Sequence, residues 1–101
     1  MSAPLTEKEF SKHVNTKFRV VVEPPVELKL TEVKGYLNKE HEETGMERFS
    51  AYFLGPADRY LEQKTYSIEH EQMGVFDLFL VPVNQDQDGF RYEAVFNYFK
   101  Q

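Results

Sequence analysis

The sequence predicts a mainly β protein: a small antiparallel barrel or sandwich of about six strands with one short N-terminal helix. Three observations carry this. Fifteen per cent of the 101 residues are aromatic, with nine Phe and six Tyr, and aromatic side chains favour pleated, half-buried surfaces. Apolar residues alternate with polar ones over most of the chain, the period of a strand with one face covered. Short turn signals, Pro24-Pro25, Gly55-Pro56, Met73-Gly74 and Asp88-Gly89, punctuate those runs. The length leaves room for one core, so residues 1–101 read as one domain.

The first element is the helix, expected over about residues 5–14. Leu5, Phe10 and Val14 fall at roughly helical spacing, and Thr6 with Glu9 matches the capping-box pattern. Phe18, Val20 and Val22 then alternate with Lys17 and Arg19 as a first strand, which the Pro24-Pro25 pair ends. Val26, Leu28 and Leu30 form the second. The alternation slips between Leu30 and Val33, which either a bulge near Thr31-Glu32 or the end of the strand would explain equally well. Gly35 to Met46 is polar and charged and reads as a loop. Glu47 to Leu54 is the third strand, with Phe49, Ala51 and Phe53 on its inner face, and Tyr66, Ile68 and His70 share a face of the fourth. Val75 to Val83 is apolar on both sides apart from Asp77 and Pro82, the pattern of a strand covered on both faces or at a barrel closure, and it is expected to be the most buried strand. The last strand runs from Phe90 to Phe99. Phe49, Phe53, Ile68, Leu78, Leu80 and Phe96 are expected in the core.

Several function classes find no support in the residues. There is no cysteine, which removes disulfides, thiolate metal sites and cysteine nucleophiles and fits a cytoplasmic location. The N-terminal ten residues hold no apolar stretch suited to a signal peptide or a membrane span. A formal charge of −5, without a basic patch, argues against nucleic-acid partners. No serine sits in a Gly-x-Ser-x-Gly frame and no glycine cluster offers a phosphate cradle, so no enzyme activity and no cofactor is expected. Asn84, Asp86 and Asp88 before Gly89 match the first half of a calcium loop, but Val95 stands where the bidentate Glu belongs. Asp-Gly is also a hairpin signal, and that reading is preferred. His41 lies in a solvated run with Glu42 and Glu43. His70 is read as a satisfied, half-buried histidine.

The stretches Phe49-Ser-Ala-Tyr-Phe-Leu-Gly-Pro-Ala-Asp58, Tyr66-Ser-Ile-Glu-His70, Phe79-Leu-Val-Pro-Val83 and Arg91-Tyr-Glu-Ala-Val-Phe-Asn97 resemble a small bacterial family known only as a domain of unknown function. The resemblance spans nearly the whole chain. It implies a bacterial, phage-related or fibre-like setting and supplies no catalytic residue. The acidic stretch from Lys39 to Met46 departs from a leaner form of the family pattern.

The function expected is a non-enzymatic structural or protein-interaction module. Its partner is a protein, engaged through surface aromatics and the acidic loop: Tyr36, Glu40, Glu42, Glu43, Tyr52 and Tyr60. Tyr98 and Phe99 also read as residues outside the core. The rival expectation is a small-molecule-binding barrel or enzyme with a pocket near His70, Asp77 and Tyr92.

Overall fold

The computed structural model describes residues 6–35 and 46–99, with the side chains at 46, 47 and 97–99 left out of the description. One helix, α1 (Glu7–Ser11), precedes six strands: β1 (Lys17–Val20), β2 (Val26–Gly35), β3 (Met46–Gly55), β4 (Lys64–His70), β5 (Gly74–Asp86) and β6 (Gly89–Phe99). All six strands pair antiparallel in the order β1-β2-β3-β6-β5-β4, and β4 returns to β1. Two three-stranded meanders thus join along β3–β6 and β1–β4. The result is one sheet closed into a ring, rather than the two facing sheets of a sandwich. Among the described residues no helix is long and apolar enough to cross a membrane.

Alternation explains the interior. Phe18 and Val20 of β1, Val26, Leu28 and Leu30 of β2, and Phe76, Leu78 and Leu80 of β5 point inward, while the residues between them face out. Phe49, Ala51 and Phe53 of β3, Tyr66 and Ile68 of β4, and Tyr92 and Ala94 of β6 complete the core. The expected core residues are buried, except that Phe96 is half-buried against the cluster. The β2–β3 register shifts between Leu30 and Glu32, at the position where the alternation slips. There the Thr31 hydroxyl donates to the Tyr52 carbonyl at 3.2 Å. A second shift falls between Pro82 and Asn84, where a missing N–H is tolerated.

The structure corrects the expectation for β5. Its outer face is not covered: Val75, Phe79 and Val83 are 57, 50 and 47 % exposed. An apolar residue at every position imitates a doubly buried strand, but the strand has one inner face only.

The helix is shorter than its periodicity suggests. Thr6 caps it, its hydroxyl accepting from Glu9 N at 3.1 Å. The chain then turns away. His13 N donates to the Phe10 carbonyl and Thr16 N to the His13 carbonyl, while Asn15 adopts φ +72°, a left-handed conformation that Asn tolerates better than most residues. This turn delivers the chain into β1 and leaves α1 over one end of the ring. Phe10, fully buried, packs there against Phe18, Phe49, Phe76 and Phe96 of four different strands. At this end the β5–β6 ladder stops at Val81↔Glu93 while β6 continues with β3 to Phe99. Phe10 occupies the space between Phe76 and Phe96.

Candidate interaction surface and the histidine cluster

The outer face of β5 exposes several large apolar side chains. Val75, Asp77, Phe79 and Val81 alternate outward, and Val83 continues the row after Pro82. On the neighbouring β4, Glu69, Ser67 and Thr65 stand opposite Val75, Asp77 and Phe79. On β6, Glu93 faces Val81, and Val95, 46 % exposed, lies two residues further along the same face. Asp77 therefore faces outward, and its phase carries information: a carboxylate flanked by the inward Phe76 and Leu78 marks the odd-numbered residues as the outer row. That signal was available in the sequence, since an unpaired carboxylate is costly to bury.

Tyr52 and Tyr60 occupy different surroundings. Tyr52 is half-buried on β3, and its hydroxyl donates to Glu93 Oε2 at 3.3 Å, the same oxygen that accepts from the Ser50 hydroxyl at 2.6 Å. Tyr60, in the β3–β4 connection, is 58 % exposed and meets the Phe90 ring edge-to-face at 5.2 Å. Tyr36, Glu40, Glu42 and Glu43, together with the rest of the expected acidic loop, lie outside the described residues, as do the side chains of Tyr98 and Phe99.

The turn expected to weigh hairpin chemistry against calcium is a hairpin. Gln87 and Asp88 connect β5 to β6, and Asp86 Oδ1 accepts from Asp88 N at 2.9 Å. Asp86 Oδ2 accepts from Arg91 Nε at 2.7 Å, and Asp88 lies 3.8 Å from Arg91 Nη2. The hydrogen bond from Arg91 holds the Asp86 carboxyl below the usual carboxylate range. Both carboxylates thus face a guanidinium. Among the described residues no group of three or more His, Cys, Asp or Glu is arranged to hold a metal ion.

The expected pocket near His70, Asp77 and Tyr92 needs correction. Asp77 faces outward, whereas Tyr92 is fully buried, its hydroxyl accepting from Leu61 N at 2.9 Å. His70 sits near the α1 end beside Thr16 and His13. The three residues do not line one cavity, because strand alternation sends Asp77 to the opposite face from the other two.

His70 instead forms a cluster that no local motif announces. Its Nδ1 accepts from Gln72 N at 3.0 Å and Met73 N at 3.1 Å, which shapes the β4–β5 turn. The ring proton therefore resides on Nε2, 2.9 Å from Thr16 Oγ1. Thr16 Oγ1 donates its own proton to the His13 carbonyl at 2.6 Å, so towards His70 it accepts. The His70 ring is flanked by Phe18 at 4.3 Å and His13 at 4.6 Å between centroids. His13 Nε2 lies 3.3 Å from Glu9 Oε2. Burial first, then the neighbouring His13, holds the His70 imidazole below its ordinary value of 6.5, against an opposing pull from Glu71. The expectation of a satisfied histidine describes the geometry of His70, although that residue is buried rather than half-buried.

No curated protein and no solved structure matches the chain. A family model described as "Domain of unknown function (DUF6916)" matches residues 5–96, which take in α1, the ring of strands and the histidine cluster, and the chain belongs to that family.

Proposed function

We propose that the domain is a non-enzymatic protein-interaction module that presents the outer face of β5 to a protein partner. The row Val75, Phe79 and Val83, with Val95 beside it, carries this reading: Phe79 is half exposed on a sheet face, where apolar area remains in water unless a partner covers it. The filled interior lends the reading support, since Phe18, Phe49, Phe53, Leu80 and Tyr92 occupy it without exposure. A net charge of −5 favours a partner with a basic rim, and Glu40, Glu42 and Glu43 would then act mainly on the rate of encounter. On this reading the domain is an accessory of a larger assembly. The bacterial, phage-related or fibre-like setting and the cytoplasmic location are part of the proposal, and rest on the motif resemblance and on the absence of cysteine.

The test is site-specific photocrosslinking in the source cell. A crosslinker replacing Phe79 should capture one protein in specific yield, while the same group replacing Arg19 on the charged outer face of β1 should not. Equal capture from both positions, or none from position 79, would remove the β5 surface from consideration. With the captured partner in hand, neutralising Glu40, Glu42 and Glu43 together should slow association at low salt and leave dissociation unchanged.

A further inference from the structure

We propose that His13, Thr16 and His70 form a proton-operated latch that holds the N-terminal segment 6–16 over the end of the ring and releases it in mild acid. The latch spans 54 residues of sequence: His70 Nε2–H donates to Thr16 Oγ1, and Thr16 hands its own proton to the His13 carbonyl. Thr16 is further tied to β2, with Leu30 N donating to the Thr16 carbonyl. One neutral imidazole thus bonds the end of the α1 turn to the β4–β5 turn.

Only the neutral ring fits. A second proton must sit on Nδ1, where Gln72 N and Met73 N already donate, so two hydrogen bonds become donor-to-donor contacts. Met73 is fully buried, and a ring expelled from this position disturbs its seat. The charged groups around the cluster do not rescue the cation. From α1, Glu9 is engaged with His13 and Lys12; from β1, Lys17 lines the same recess. Glu71, in the β4–β5 turn, favours the cation but is outweighed by burial and by His13, 4.6 Å away. Glu69 of β4 is paired with Arg19. From β2, Glu27 borders the recess beside His70 but lies 3.9 Å from Lys17 Nζ, and Leu30 contributes main-chain bonds to Asn15 and Thr16.

The sign follows from linkage. His70 has a lower proton affinity in the folded chain than its ordinary value of 6.5, so the latch contributes fully above that value and weakens as the pH falls below it. The segment that responds is the five-residue helix α1 with its turn, an element too short to stand without tertiary support. Its release uncovers the aromatic end of the ring at Phe18, Phe49, Phe76 and Phe96.

Hydrogen exchange of the whole chain at about pH 7.5 and about pH 5, corrected for intrinsic exchange, tests this. Protection over residues 6–16 should fall at least about tenfold at the lower pH, while β3 amides from Phe49 to Gly55 change by less than about twofold. In His70→Asn, whose side-chain oxygen can still accept from the turn but cannot take up a proton, the pH difference should vanish. A loss shared equally by β3, no loss in the wild type, or an undiminished difference in a folded His70→Asn overturns the latch. If that variant does not fold, the imidazole resonances of the wild type decide. Their His70 midpoint must coincide with the midpoint of protection loss, and a mismatch overturns the proposal.

Discussion

Phe10→Ala should destabilise the domain by about 3–5 kcal/mol, the range for truncating an enclosed aromatic side chain. Phe10 is fully buried, and its ring centroid lies 5.2 Å from Phe96, 6.0 Å from Phe49 and Phe76, and 6.1 Å from Phe18. Four strands therefore lose a common partner when it is removed. No neighbouring side chain can collapse into the space without leaving its own strand position, so the cavity term adds to the transfer term. The closest comparison is Leu80→Ala in the middle of β5, expected to cost about 2–5 kcal/mol. Urea unfolding measures both. A loss below about 1 kcal/mol for Phe10→Ala would mean that α1 decorates the ring instead of closing it.

Gly89→Ala should be comparably damaging at the opposite end, by a different mechanism. Gly89 has φ +140°, and a Cβ there would overlap the Gly55 carbonyl oxygen and stand 3.3 Å from Ala57 N. Both neighbours are backbone atoms in or just after β3, so neither can swing aside. The backbone conformation alone costs an L-residue about 1–3 kcal/mol, and the clash forces β6 away from its first pair with β3, Gly55↔Phe90. We expect a loss above about 2 kcal/mol, with Gln87→Ala in the same turn within about 0.5 kcal/mol of wild type. A Gly89→Ala protein as stable as Gln87→Ala would show that the β3 and β6 ends do not meet as closely as described.

These two sites differ in how visible they are in the sequence. Gly89 stands in an Asp-Gly turn signal, and strand alternation places the core residues of β1, β2 and β3 on the correct face. The slip after Leu30 falls at the bulge, although the end of a strand would read the same way. Each of these is a local pattern with a local cause. The β5 strand was harder, because Val75, Phe79 and Val83 are as apolar as Phe76, Leu78 and Leu80, and only Asp77 reveals which set faces out. Of the two readings that the apolar run allowed, coverage of both faces or a place in a closing barrel, the exposed outer row removes the first. The histidine cluster was not legible at all. His13 and His70 have no metal or catalytic spacing, and only the closure of β4 onto β1 and the turn after α1 bring their rings together. Helix length failed for a related reason: apolar spacing extends to Val14, but the chain must reverse at Asn15 to enter β1.

The central claim, that the outer row of β5 is a binding surface, is tested most directly by the affinity of the crosslinked partner for Phe79→Asp. The substitution keeps the strand and the inner face intact, since position 79 projects outward opposite Thr65. It places a second carboxylate beside Asp77 in the middle of the row. We expect affinity to fall at least about tenfold, or about 1.4 kcal/mol, with the melting midpoint moved by no more than a few degrees. Unchanged affinity of a folded Phe79→Asp protein would contradict the account.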